Sequence, residues 1–134
     1  MDLGEALIVA GIGFRKAISA AEIESAIAVA LRSVLLADAQ LSSIATPAAK
    51  AAEPAIRAVA AARGLPLICI SQRALEAASH RALTRSARAL AAMNVHSVAE
   101  SAALAAAGPQ GRLLSPRIAV GSVTCALAEG KFTP

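Results

Sequence analysis

Short apolar runs alternate along this chain with segments that carry helix patterns, and this alternation limits the possible folds more than any other sequence feature. Residues 7–10, 43–46 and 65–70 have the length and apolar character of buried strands. Residues 20–37 carry apolar side chains at helical spacing, and Pro54 fits the first turn of a second helix. Because strands that alternate with helices form a sheet covered on both faces, this part of the chain predicts an α/β fold.

Capping residues define where several helices begin and end. Ser19 precedes Glu22 by three residues, and Ser97 precedes Glu100 by three residues, so both pairs have the spacing of a capping box. Gly64 is placed to end the second helix. The chain therefore has a helix after each of the first two strands and a short helix that follows Ser97.

The second half of the chain completes the predicted architecture. Residues 72–93 favour two helices with a break at 80–86. Residues 112–115 and 123–127 predict two strands that are joined through Gly121 as an antiparallel hairpin. The predicted fold has three layers (α/β/α) around a mixed, mostly parallel sheet of about five strands.

The side chains available for the core are small. The 134 residues include 37 alanines and two phenylalanines but no Trp or Tyr, and a chain of this length can fold as one domain, residues 1–134, without a disulfide or metal. Cys69 and Cys125 lie within apolar runs, which predicts two buried free thiols. Because His80 and His96 stand at no metal-ligand spacing from either cysteine, neither a metal site nor a cofactor is predicted.

The charge of the chain is unevenly distributed, although its formal sum is only +4. Residues 1–53 carry four basic and six acidic side chains, whereas residues 54–117 carry eight arginines and two glutamates. Such a positive field favours an anionic partner but does not choose between nucleic acid, an acidic protein and a polycarboxylate. Since the sequence has neither a signal peptide nor a bilayer-spanning run, we expect a cytoplasmic protein without a membrane partner.

A box of glycines and cations follows the first predicted strand. Gly11 and Gly13 would form a turn whose backbone N–H groups can approach an anion. Phe14 is followed by Arg15, which grips a carboxylate or phosphate at two points, and by Lys16, which adds a point charge. The box lacks the third glycine of a dinucleotide site and the Lys-Ser/Thr pair of a P-loop. By pattern alone, an anion site and a structural turn with a solvated basic pair stay open.

Other polar residues have simpler explanations. Lys50 and Glu53 lie at the carboxyl end of the second strand, where open α/β sheets bind ligands, but a surface ion pair explains them as well. Arg81, Arg85 and Arg88 would form a basic stripe on a continuous helix. Without aromatic stacking residues, a solvated helix face explains that stripe better than nucleic-acid contacts do.

Three polar side chains stand in no legible catalytic motif. Ser86 has no neighbouring His-Asp arrangement, and the capping box already explains Glu100. Thr124 lies between apolar neighbours, so its alternation does not decide whether it faces the core, solvent or a pocket.

Six motifs occur in an order that is typical of one family. They lie at residues 11–16 (G-x-G-x-R-K), 46–54 (T-x3-K-x2-E-P), 64–67 (G-L-P-L), 97–104 (S-V-x-E-x-A-A-L), 113–117 (L-L-x-P-K) and 123–128 (V-T-x-A-x-A). In this order the chain resembles the family of CobE and the C-terminal domain of CbiG from about residue 7 to residue 128. Two positions depart from the family pattern. Ala17 stands where the family usually has Gly, and Arg117 stands where it usually has Lys, which keeps the charge but changes the donor geometry.

The resemblance implies a part in the synthesis of the corrin ring of cobalamin. CbiG-type hydrolases open a lactone on a cobalt-precorrin, and they carry an additional N-terminal domain. Because the match here starts at the first strand, the resemblance is to the members that consist of this domain alone. Those members are associated with the aerobic pathway without a firm reaction.

The resemblance also implies a ligand and a set of ligand-binding residues. The ligand would be a precorrin or a hydrogenobyrinic-acid-like tetrapyrrole, whose acetate and propionate carboxylates suit glycine amides and cations. The implied binding residues are Gly11, Gly13, Phe14, Arg15, Lys16, Lys50, Glu53, Ser86, Glu100, Arg117 and Thr124.

Three functions stay open at this point. The first is a binding, carrier or accessory protein for the tetrapyrrole, with other corrin-pathway enzymes or a second copy of the chain as further partners. The second is a hydrolase of a precorrin lactone, in which Glu100, Ser86, Thr124 or a histidine supplies the acid–base chemistry. The third is a nucleotide or nucleic-acid module, and we expect no nucleic-acid partner.

Overall fold

One mixed sheet of six strands forms the centre of the computed structural model, which describes residues 6–15 and 17–131. The strands are β1 (Ala6–Phe14), β2 (Ser43–Pro47), β3 (Leu67–Ile70), β4 (Arg112–Leu113), β5 (Ile118–Val120) and β6 (Val123–Lys131). Their order is β3-β2-β1-β6-β4, and β5 also pairs with β6. Strands β1 to β3 pair in parallel, while β6 is antiparallel to β1, β4 and β5. Five strands therefore share one direction, which confirms the predicted mixed, mostly parallel α/β sheet with six strands instead of about five.

Five α-helices accompany the sheet in the described residues. They are α1 (Ala20–Ser33), α2 (Pro54–Arg63), α3 (Gln72–Ser79), α4 (Ala87–Met93) and α5 (Val98–Ala107). Helices α1 and α2 cover one face of the sheet, and α3 and α5 cover the other. The predicted break between α3 and α4 is present, and the Ser86 hydroxyl begins α4 by accepting a hydrogen bond from the Ala89 amide. No helix in the described residues is both long and apolar enough to cross a membrane.

The core has a different composition on the two faces of the sheet. Alternate residues of β1 such as Ile8 and Ile12 pack with the large aliphatic side chains of α1 and α2. On the other face, Ala99, Ala102 and Ala103 of α5 are fully buried against the sheet. Alanine on this face lets α5 approach the strands closely, which explains how an alanine-rich chain forms a dense core.

The two glycines of the cation box lie within β1 and do not form the turn that the sequence predicts. Gly11 pairs with Ala126 and Gly13 pairs with Thr124, so the strand continues to Phe14. The physical reason is helix packing, because a Cβ on Gly11 would lie 2.6 Å from the amide nitrogen of Ala103 on α5. Gly11 is therefore needed for a close approach between strand and helix.

Helix α1 ends four residues before the predicted end at Ala37. Leu35 adopts a left-handed φ of 60°, and the Leu36 amide donates to the Leu31 carbonyl over 2.9 Å. Together with the Leu35 amide bond to the Arg32 carbonyl, this is a Schellman ending, which usually uses glycine. Because Leu35 stands where such endings usually have glycine, the sequence does not predict that α1 ends here.

Two further predictions need correction. Cys69 is exposed, because β3 is the outer strand of the sheet and lacks a neighbour on one side, while Cys125 is buried as predicted. The predicted hairpin between 112–115 and 123–127 contains an additional strand, β5. A two-residue turn at Gly121 and Ser122 joins β5 to β6, and β4 pairs farther along β6.

Candidate functional site

A cleft of about 590 Å³ opens beside the carboxyl end of β1. Its size lies in the range of about 300–1,000 Å³ that is usual for small-molecule sites. The lining residues come from the end of β1, the loop after β2, helix α4, the start of α5 and the β5–β6 hairpin. They are Gly13, Phe14, Arg15, Lys50, Ser86, Arg88, Ala89, Ala92, Met93, Val98, Arg117, Ala119, Gly121, Ser122 and Thr124. The cleft therefore brings together seven of the eleven residues that the sequence indicates.

One wall of the cleft joins three of these seven residues directly. The Lys50 ammonium donates to the Arg15 carbonyl at 3.4 Å and lies 5.7 Å from the centre of the Phe14 ring. That distance is within the range of a cation–π contact. Lys50 therefore turns towards the end of β1, and within the described residues it forms no ion pair with Glu53.

The opposite wall is the β5–β6 hairpin. Gly121 has φ +60°, which suits the first central residue of a two-residue hairpin turn. The Ser122 hydroxyl donates to the Glu22 carboxylate of α1 at 3.1 Å. The Thr124 hydroxyl donates to the Gly13 carbonyl at 3.3 Å, so Thr124 faces the cleft on the α5 side of the sheet. These bonds connect the hairpin to both α1 and β1.

Helix α4 forms the third wall and contributes residues that the sequence alone does not assign to a site. Arg88, Ala92 and Met93 line the cleft together with the capping residue Ser86. Because the chain breaks between α3 and α4, Arg81, Arg85 and Arg88 do not share one helix face. Arg81 instead donates to the carbonyls of Gly108 and Gly111. The only sequence signal for Arg88 is its position two residues after the capping residue Ser86, which does not distinguish a cleft residue from a solvated one.

Glu100 lies beneath the cleft rather than on its surface. Its side chain is 0% exposed, and its carboxylate accepts four hydrogen bonds of 2.7–2.8 Å. The donors are the backbone amides of Leu83, Thr84 and Arg117 and the hydroxyl of Thr84. Both carboxylate oxygens are thus occupied by the protein itself, and the structure offers Glu100 no direct path to a ligand.

Two other indicated residues are also not brought to the cleft. Gly11 lies under α5, as described above. Glu53 is the residue before α2 and is absent from the described lining of the cleft. Lys16 lies outside the described residues.

The cleft combines positive charge with an apolar interior. Arg15, Lys50, Arg88 and Arg117 line it, and within the described part of the chain none of these four forms an ion pair with a carboxylate. Apolar lining comes from Phe14 and from small and aliphatic side chains of α4, α5 and β5. Arginine binds a carboxylate by two parallel hydrogen bonds. The arrangement suits an anion that carries its acids around an apolar body.

The described lining offers little for proton transfer or metal binding. It contains the hydroxyls of Ser86, Ser122 and Thr124 but no His, Cys, Asp or Glu. Ser86 uses its oxygen as a helix cap, and Ser122 and Thr124 donate to protein oxygens. Residues 6–15 and 17–131 contain no group of three or more His, Cys, Asp or Glu side chains that could hold a metal ion.

Comparisons with known proteins agree with the fold and the motif order. Residues 8–128 match the family described as cobalamin synthesis G C-terminus. The crystal structure of CobE, a protein from the cobalamin (vitamin B12) biosynthetic pathway, is 31% identical over 96% of this chain and 94% of that chain, with a TM-score of 0.89. The cobalamin biosynthesis protein chiG from Agrobacterium tumefaciens is 33% identical over 91% of this chain and 97% of that chain, with a TM-score of 0.71.

A more distant structure shares the fold. A putative cobalamin biosynthesis protein G homolog from Sulfolobus solfataricus is 22% identical, with a TM-score of 0.72. The match covers 92% of this chain but only 36% of that longer chain. No curated protein sequence matches the chain.

Proposed function

Because the chain belongs to the cobalamin synthesis G C-terminus family and is thus a protein of cobalamin biosynthesis, we propose that its cleft binds a precorrin-type polycarboxylate tetrapyrrole. The protein acts as a binding, carrier or accessory protein for this intermediate. A carrier would pass the ligand on to other corrin-pathway enzymes, which are its natural partners.

The observation that carries this proposal is the convergence of four cations on one cleft. Arg15, Lys50, Arg88 and Arg117 come from four separate parts of the chain, and no acidic residue in the described lining neutralises them. A cleft that collects unpaired cations gains binding energy only when an anion enters it. A macrocycle with several carboxylates can contact cations on opposite walls at once, while its ring packs on the apolar lining.

The lining favours binding over hydrolysis. A hydrolase needs a group that takes up or delivers a proton near neutral pH, and the described lining holds no histidine or carboxylate. Glu100, which the sequence offered as a general acid or base, is fully buried and accepts four hydrogen bonds. The remaining hydroxyls have no paired base in the cleft.

Absorbance titration with hydrogenobyrinic acid tests the proposal. We expect a saturable spectral change with wild-type protein. Arg15→Ala and Arg117→Ala should each weaken binding by about tenfold or more, since a hydrogen bond to a charged group contributes about 1.5–3 kcal/mol. Arg32→Ala is the matched control, because Arg32 is exposed in the last turn of α1 and is absent from the described lining. Its affinity should stay within about twofold of wild type.

Two results would contradict the proposal in different ways. If high micromolar ligand produces neither a spectral change nor heat, the protein does not bind this class of tetrapyrrole. If mass spectrometry after incubation with a precorrin lactone shows an altered ligand mass, the chain is a hydrolase. An unchanged mass together with saturable binding supports a carrier or accessory role.

A further inference from the structure

Glu100 occupies an unusual position for a charged residue. Among the residues that the structure describes, it is the one acidic residue that is buried, and no cation lies within ion-pairing distance of it there. A buried carboxylate is costly unless hydrogen bonds satisfy both oxygens. Here Oε1 accepts from the Leu83 and Thr84 amides at 2.7 and 2.8 Å, and Oε2 accepts from the Thr84 hydroxyl and the Arg117 amide at 2.7 and 2.8 Å.

The donors belong to the two segments that carry the cationic walls of the cleft. Arg117 donates its own backbone amide, which fixes the start of the β5–β6 hairpin. Leu83 and Thr84 lie just before α4, which presents Arg88. One carboxylate therefore joins the base of α4 to the base of the hairpin, across sequence separations of 16 and 17 residues.

Helix α4 depends on such anchors because its own packing is slight. Ala89 is its one buried residue, at 9% exposure, while Leu90 is 45% exposed. The far end of α4 is held by a 2.7 Å hydrogen bond from the Gln72 side chain to the Met93 carbonyl. An element with few buried apolar contacts opens at low free-energy cost, so polar anchors at its two ends decide where it lies.

We infer that Glu100 is a positioning residue of the cleft, which sets the separation of Arg88 and Arg117 through its hydrogen bonds to Leu83, Thr84 and the Arg117 backbone. The expected effect of Glu100 on ligand affinity rests on the proposed tetrapyrrole-binding function. Its effect on the placement of α4 and of the hairpin does not depend on any ligand.

Glu100→Gln tests the inference because it keeps the side-chain shape but replaces one acceptor oxygen with an NH2 donor. That donor must face an N–H or O–H group, so at least one anchor is lost and one donor is left unpaired. We expect hydrogenobyrinic acid to bind about tenfold more weakly or worse. The matched control is a substitution of Ile56, which is fully buried on the other face of the sheet. Of Ile56→Val and Ile56→Ala, the variant used is the one whose loss of melting temperature equals that of Glu100→Gln. The control should keep wild-type affinity.

Hydrogen exchange without ligand gives the second readout. In Glu100→Gln, the amides of residues 83, 84 and 117 and those of α4 should exchange faster relative to α2, whereas in the Ile56 variant they should not. If wild-type protein fails to bind the tetrapyrrole, the proposed function is wrong, and exchange alone decides the inference. The inference would be overturned if the α4 amides of Glu100→Gln exchange at the wild-type rate. It would also be overturned if Glu100→Gln loses no more affinity than the Ile56 control.

A milder variant serves if Glu100→Gln does not fold. Thr84→Val removes only the hydroxyl donor to Oε2. We expect a smaller loss of affinity, of about threefold to tenfold, with faster exchange at residues 83 and 84. Wild-type affinity and exchange in this variant would equally overturn the inference.

Discussion

Cys69 and Cys125 show how two residues of one type, each within an apolar run, reach opposite environments. Cys69 lies on the outer strand β3 and is exposed, whereas Cys125 lies on β6 between β1 and β5 and is buried. Burial raises the pKa of the Cys125 thiol to about 12. Because the thiolate is the reactive form, only Cys69 should react in the folded protein.

Thiol labelling at neutral pH tests this difference between the cysteines. We expect one equivalent of a thiol reagent to react with the native protein and a second to react only after unfolding in denaturant. Cys69→Ser should abolish the native equivalent and leave the second. Rapid labelling of Cys125 in the native Cys69→Ser protein would contradict the buried position of β6.

At the scale of elements, the capping box of α1 does more than begin a helix. The Glu22 carboxylate accepts from the Ser19 amide at 3.1 Å, as its spacing predicts, and also from the Ser122 hydroxyl of the hairpin. These hydrogen bonds lower the pKa of Glu22 below its usual value of 4.5, and the bond from the Ser19 amide has the larger effect. The helix start thus supports one wall of the cleft.

The lowered pKa of Glu22 predicts a pH dependence of stability. An acid whose pKa is lowered by folding stabilises the protein when it is ionised, so the effect is full above the unfolded pKa and is lost as pH falls through the folded pKa. Glu22→Gln should therefore melt at a lower temperature than wild type at pH 7. The difference should shrink below about pH 4, where the carboxyl becomes protonated.

Melting curves across pH check this expectation, with Glu53→Gln as the control. Glu53 precedes α2 but makes no side-chain capping bond. An equal melting-temperature loss at pH 7 and at pH 3 in Glu22→Gln would show that the ionised carboxylate contributes nothing.

At the scale of the whole molecule, the fold converts a scattered charge excess into a local one. Arg63 and Arg112 form ion pairs with Glu24 and Glu129. The cations of the cleft have no such partners within the described residues. The excess charge is therefore available where a polycarboxylate would enter.

Salt should weaken ligand binding for this reason. Raising NaCl from about 0.05 to about 0.5 M shortens the Debye length from well over 10 Å to a few ångströms, so hydrogenobyrinic acid should bind several-fold more weakly. Titrations at several salt concentrations should also give a shallower dependence for Arg88→Ala than for Arg32→Ala. A salt-independent affinity would indicate that apolar contact alone holds the ligand.

The sequence by itself determined the element order except for β5, the α/β class, the break before α4 and most helix caps, because hydrophobic periodicity and capping are local properties. It also indicated Arg15, Lys50 and Arg117 as residues of one site through their motif order. Only the tertiary structure decided that Gly11 packs under α5, that Glu100 is buried with four hydrogen bonds, that Cys69 is exposed and that Arg88 faces the cleft. Those roles depend on which distant segments meet across the sheet, and no local pattern in the chain encodes such contacts.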